Sequence, residues 1–200
     1  MPTRAAGRPR TFDRDLALRD AARLFWRHGY SGTSTRMLTT ALGISSSSLY
    51  AAFGSKERLF DEAVRAHTGR YGDVYARAVQ EPDLAGVIER VLVGSVDEFT
   101  RPDDQPGCLT TSAAMADTSA TLDVRAFVVE AQGADEALLR ARVERAVVDG
   151  DAPAGTDAGT LTGLVQTLWH GLAVRAELGA GREELRAAAR LAAARLAPPT

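Results

Sequence analysis

Apolar residues recur along this 200-residue chain at spacings of three and four, and no segment alternates convincingly with a period of two. That spacing is the signature of helices with one buried face. The first helix carries Leu18, Ala21, Ala22 and Phe25 on its apolar face and opens behind Asp13, whose carboxylate can accept from free N–H groups. Two short runs follow, over 33–42 and 45–53, and a further helix opens at Ser55 and extends to His67 or beyond. The pattern predicts more helices over 83–100, 107–116, 120–149, 157–178 and 182–197. Turn-forming residues break it at Glu81-Pro82, between Arg101 and Gly107, between Asp149 and Gly155, and between Gly179 and Gly181. The expected fold is all-α, with about nine helices and no sheet.

The stretch from Thr33 to Lys56 is the most specific. Thr33 or Ser34 can cap the first short helix, which runs through Leu38 and Leu42. Gly43 suits the left-handed residue that ends a helix, and Ile44 can tuck beneath the turn. Ser45 caps the next helix, in which Leu49 and Phe53 fall four apart on one face. Ser46, Ser47, Ser48 and Tyr50 occupy the other face and the first turn. Small hydroxyls and one phenol, with almost no charge, let a helix approach DNA closely and hydrogen-bond to base edges and phosphates. A helical hairpin with serines placed only for capping would show the same bare pattern; the flanking sequence separates the two.

That flanking sequence resembles the TetR family of one-component transcriptional repressors. The residues that carry the resemblance are Ala21-Ala22-Arg23-Leu24-Phe25, Gly29-Tyr30, Thr33-Ser34, Gly43-Ile44-Ser45, Leu49-Tyr50, Phe53 and Ser55-Lys56-Glu57, about a third of the chain, without a gap. Ser47 stands where the family often has Gly, Ala51 and Ala52 replace a frequent aromatic or His pair, and Thr39 replaces a common Ala. These differences bear on which operator is read. The resemblance implies a basic arm over 1–12, a helix-turn-helix domain over 13–60 and a helical effector-binding and dimerisation domain over 61–197. It further implies DNA contacts from Thr35, Arg36, Ser46, Ser47, Ser48, Tyr50 and Lys56. Arg36 suits bidentate reading of a guanine, while Tyr50 and Lys56 suit phosphates.

Charge points the same way. Residues 1–60 hold ten basic against four acidic side chains (+6), and the remainder holds 14 basic against 22 acidic (−8), giving the net −2 of the chain. A basic module joined to an acidic body suits nucleic-acid binding by the first and not the second. Arg8 and Arg10, in Gly7-Arg8-Pro9-Arg10, can enter a narrow minor groove or simply remain solvated. No apolar run approaches a membrane span, the start lacks the apolar core of a secretion signal, and one cysteine precludes internal disulfides. A cytoplasmic protein without cofactor, metal or membrane partner is expected. His28, His67 and His170 are scattered without ligand partners, and no nucleophile elbow, phosphate loop or dinucleotide fingerprint occurs. An enzyme is therefore not expected. A helical adaptor would leave the basic module unexplained.

The last two helices are rich in apolar and small residues. Leu161, Leu164, Val165, Leu168, Trp169, Leu172 and Val174 exceed one buried stripe, and Leu185, Ala188, Ala189, Ala192, Ala193 and Leu196 form a smooth face. Such faces serve either the intrachain core or, as the resemblance implies, a four-helix homodimer interface gripping a palindromic operator. The resemblance also implies an effector pocket in the acidic body for an unknown small molecule. Phe99, Cys108, Met115, Phe127, Trp169 and His170 are candidate lining residues, each equally suited to ordinary core. Gly107-Cys108-Leu109 resembles a motif in a branch of the family that includes electrophile and oxidant sensors, so Cys108 is also a candidate reactive thiol.

Overall fold

The computed structural model describes residues 13–102, 104–116, 119 and 121–197. Arg8 and Arg10 lie outside the described residues. Among those residues run α1 (Arg14–Gly32), α2 (Thr35–Leu42), α3 (Ser46–Phe53), α4 (Lys56–Ala78), α5 (Leu84–Phe99), α6 (Leu109–Met115), α7 (Val124–Asp149), α8 (Ala158–Glu177) and α9 (Arg182–Leu196), with no strand among them.

Short polar side chains set most of the starts. Asp13 accepts from the N–H groups of Asp15 and Leu16, both at 3.0 Å. Ser34, Ser45, Ser55, Asp83 and Asp157 cap α2, α3, α4, α5 and α8 in the same way. α7 begins at 124 rather than 120, because Asp123 takes the Ala126 N–H at 2.9 Å. α1 kinks at Gly29 (φ 68°, ψ 174°) before its last turn.

Two apolar clusters fill the interior. One gathers Phe25, Leu38, Leu49, Phe53 and Phe60 from α1–α4, and it extends onto Leu109 and Ala113 of α6 and Val124 and Val128 of α7. The other joins α4, α5, α7, α8 and α9 around Ile88, Val91, Phe99, Trp169 and Leu172. Full burial of each such Leu or Phe is worth about 1.5–3 kcal/mol. α4 crosses both clusters: Leu59 to Val64 belong to the first, Tyr71 to Ala78 to the second. One rigid helix therefore ties the recognition module to the body. Position 60 separates stretches of sequence, whereas the packing runs across it.

The small-residue face of α9 is used inside the chain. Leu185, Ala189 and Ala193 are buried, and α9 lies along α5, which their small side chains let it approach closely. Among the residues it turns outward, Ala187, Ala188, Leu191 and Ala194 are apolar or small, beside the charged Glu183, Glu184, Arg190 and Arg195. Leu164 and Gly171 are exposed on α8. The connection from α5 to α6 is pinned by Gly107, with φ +100° and its N–H donating to the Phe99 carbonyl at 2.9 Å. A Cβ there would approach within 2.9 Å of the Glu177 Cβ and 3.2 Å of the Ala173 carbonyl on α8. Only glycine fits both the conformation and the space.

Candidate nucleic-acid interface

The turn between α2 and α3 is built from local signals. Gly43 adopts the left-handed conformation (φ 63°, ψ 29°), and the Ile44 N–H returns to the Thr39 carbonyl at 3.2 Å. Ser45 Oγ accepts from the Ser48 N–H at 3.0 Å and lies 2.8 Å from Ser47 Oγ and 2.9 Å from Ser48 Oγ. This knot of hydroxyls fixes the first turn of α3. Leu49 and Phe53 anchor its inner face in the core, and the Arg14 guanidinium stacks 4.8 Å above the Phe53 ring while pairing with Glu62 at 2.6 Å. Ser46, Ser47, Ser48 and Tyr50 are exposed on the outer face, with Arg36 exposed and Thr35 half-buried on α2. Five of the six side chains are uncharged, the sixth is a guanidinium, and none is a carboxylate. Such a face can enter a major groove without repelling phosphates and can both donate and accept at base edges.

Lys56, at the start of α4, is held by the end of α1. Its ammonium donates to the carbonyls of Tyr30 and Thr33, both at 2.8 Å, and lies 4.2 Å from the centre of the Tyr30 ring. Burial lowers its pKa. Two of its three N–H donors thus satisfy the carbonyls at the end of α1, where helix carbonyls lack partners. The side chain latches the start of α4, directly after the recognition helix, to the end of α1. Thr33 completes the latch from inside, its hydroxyl donating to the Gly29 carbonyl at 2.7 Å.

Comparison with known proteins agrees with this geometry. The sequence profile of "Bacterial regulatory proteins, tetR family" matches residues 17–63, from α1 into α4. A cysteine-substituted form of the TetR family transcriptional regulator CifR, solved with 26-bp double-strand operator DNA, is 38% identical, superposes with a TM-score of 0.85, and matches 96% of this chain and 100% of its own. The chain belongs to the TetR family of transcriptional regulators. The transcriptional repressor ComR of Escherichia coli is 29% identical over 188 residues, covering 91% of this chain and 88% of its own. The repressor AcnR of Corynebacterium glutamicum is 28% identical over 181 residues, 90% of each. The protein is accordingly a DNA-binding transcriptional regulator and not an enzyme. No helix among the described residues is long and apolar enough to cross a membrane.

In this TetR regulator the six candidate effector-pocket residues do not converge. Phe99, Cys108 and Trp169 belong to the packed second core, with Phe99 and Trp169 rings 4.9 Å apart. His170 is half-buried beside Trp169, and burial lowers its pKa. Phe127 instead packs on Phe60 of the first cluster, 5.8 Å between ring centres. Met115 is 73% exposed at the end of α6 and lines no interior. A gap lined by Trp169, with Tyr75, Asp135 and Gln166, has a volume of about 20 Å³, room for about one water. Burial raises the Asp135 pKa to about 6 there.

A second constellation was not legible from the sequence. Trp26 on α1 packs edge-on against His67 of α4, 4.9 Å between rings. His67 Nε2 accepts the Leu109 N–H at 3.1 Å, and its Nδ1 lies 2.7 Å from Arg70 Nη2. Arg70 also donates to Asp104 at 2.8 Å. Burial first, then the Arg70 charge, pushes the His67 pKa down to about 3. Burial works to raise the Asp104 pKa, but hydrogen bonds from Arg70 and the Gln105 N–H leave it below the ordinary value. The His67–Arg70 spacing of three places both side chains on one face of α4. Nothing local indicated that α1 and α6 would meet that face.

Proposed function

We propose that this TetR regulator is a repressor that binds a palindromic operator as a homodimer and is released by a small-molecule effector. The observation that carries the reading is the exposed, hydroxyl-bearing and carboxylate-free face of α3, with Arg36 beside it. Thr35, Arg36, Ser46, Ser47, Ser48 and Tyr50 would contact DNA, Arg36 reading a base and Tyr50 a phosphate. Arg8 and Arg10 would add minor-groove contacts. The named repressors among the relatives and the operator complex of CifR support the assignment. Dimerisation is supported by outward apolar and small residues on adjacent helices, Leu164 and Gly171 of α8 and Ala188 and Leu191 of α9, the last 61% exposed. Two-fold pairing doubles the bases read by one short helix. Replacing Leu164 and Leu191 together by Glu should yield a folded monomer by analytical ultracentrifugation with at least a hundredfold weaker operator binding. A dimer that persists in that variant contradicts this choice of face.

A second reading, thiol-based sensing through Cys108, is favoured by where the thiol sits. It is fully buried at the first turn of α6, 2.9 Å from the Thr110 hydroxyl, and the next N–H donates to His67 of α4. An adduct on Sγ would have to open this junction and so would reach α4 directly. Loss of operator binding after stoichiometric alkylation, absent in Cys108→Ser, is the required pattern. A thiol that stays unmodified in the folded protein ends the idea.

A further inference from the structure

We propose that Arg58 is a DNA-backbone contact, its guanidinium held across the turn between α3 and α4 so that it grips a phosphate at the end of the recognition helix. This role rests on the reading of α3 as the helix seated in the major groove.

One residue builds the turn. Gly54 has φ 79° and ψ −57°, and across it the Ser55 N–H donates to the Phe53 carbonyl at 3.0 Å. That closes a three-residue γ-turn of the strained kind, open to glycine and costly for other residues. The Gly54 N–H donates to the Tyr50 carbonyl at 2.9 Å, so the turn follows the last residue of α3 directly. Arg58 covers it. A Cβ at position 54 would come within 3.2 Å of both Cδ and Nη1 of Arg58, so the guanidinium packs onto the bare face of the turn. Its backbone is fixed as well, because Ser55 Oγ accepts the Arg58 N–H at 3.1 Å.

Packing holds this guanidinium, and no carboxylate neutralises it. Glu62, one turn further along α4, takes Arg14 at 2.6 Å, and Asp61 takes Arg65 at 2.7 Å. Arg14 itself stacks on Phe53 at the same end of α3, its charge already matched. Arg58 is exposed, and among the described residues it has neither an ion pair nor a side-chain hydrogen bond. Its donors are open to phosphate oxygens, which a guanidinium can take in pairs. Arg36, on the helix before α3, is likewise exposed without an ion pair among the described residues. An unmatched cation therefore stands on either side of α3 along the chain.

Reach agrees with this role. The eight residues of α3 rise by about 12 Å, and the major groove is about 12 Å wide. A helix of that length seated there brings its ends close to the flanking phosphate strands, which set position and carry no sequence. Arg58 thus anchors without base preference, the complement of Arg36. Because packing already orders its side chain, less freedom is lost on binding.

The test is fluorescence anisotropy of the full-length protein, titrated across salt concentrations on two labelled duplexes. One is the strongest fragment selected from genomic DNA, and the other is a scrambled duplex of the same length and composition. Arg58→Gln should weaken both by the same factor, at least fivefold, and flatten each salt slope by about 0.9 per bound protomer. Arg58→Lys should restore the slope, since the charge persists. Arg145→Gln, the same charge change at an exposed position on α7, should alter neither duplex. An unaltered slope in Arg58→Gln overturns the contact, as does a slope that Arg58→Lys fails to restore. A loss confined to the selected duplex, or matched by Arg145→Gln, overturns it too. Wild-type protein that binds neither duplex at low salt overturns the reading of α3, and the role of Arg58 with it; wild-type binding beside an unaltered Arg58→Gln overturns the role of Arg58 alone.

Discussion

Burial keeps the His67 imidazole neutral in the folded chain, where its pKa is about 3 against an ordinary 6.5. The unfolded chain takes up a proton as pH falls through 6.5, and the folded chain does not. His67 therefore stabilises nothing extra above that pH and costs stability as pH drops toward 3, by up to about 1.4 kcal/mol per unit. Asp135 has the opposite sign: its carboxyl, raised by burial to about 6, favours the folded state increasingly as pH falls from 6 toward 3.8. Comparison with His67→Gln isolates the histidine. Between pH 7 and pH 5 the wild type should lose about 2 kcal/mol more than the variant in urea unfolding; parallel pH profiles would show that the imidazole is not held neutral. Lys56 also tests a residue-scale assignment. Lys56→Met should cost about 1–3 kcal/mol of stability through the lost charge-assisted bonds to Tyr30 and Thr33. The salt slope of operator binding should change by less than about one unit, the value of a single phosphate contact. A full unit with unchanged stability would restore Lys56 to the phosphate backbone.

Elements were the most legible level, because a cap and an apolar period act within a few residues. Asp13, Ser45 and Ser55 announce their helices and cap them as the pattern implies. The exception is informative. The helix expected over 120–149 starts at Val124, capped by Asp123. Ser119 Oγ accepts from the N–H groups of Thr121 and Leu122, making a turn that delays the helix to Val124. At the recognition helix the same logic yields a prediction. Ser45→Ala should cost about 1 kcal/mol of stability, measured by thermal unfolding, since it removes the acceptor for the Ser48 N–H and the centre of the hydroxyl knot. An unchanged melting temperature would mean that tertiary packing alone fixes the first turn. Arg36→Ala should cost about 1–3 kcal/mol of operator affinity and relax preference at one base pair, whereas a phosphate contact would weaken all sequences alike.

At the scale of the whole molecule the sequence was less informative, because which helix faces meet is decided by distant residues. The small-residue face of α9 suits the core or a partner alike, and the structure divides it: Leu185, Ala189 and Ala193 are buried, with α9 lying along α5, while Ala188 is exposed. Phe127 and Met115 look alike as candidates for one pocket, yet one packs on Phe60 and the other is exposed. Trp26, His67 and Arg70 become a cluster only through the packing of α1 on α4. That packing also makes α4 the common member of both cores. An effector that releases the operator, as proposed, must weaken operator binding by the same factor as the operator weakens its own. The most direct test of the central claim is selection of bound genomic fragments by the purified protein, followed by titration of the strongest across salt concentrations. The account predicts a two-fold symmetric consensus whose half-sites lie one helical turn of DNA or a multiple of it apart, with affinity lost on Arg36→Ala. Binding without a consensus, or none at low salt, would contradict it.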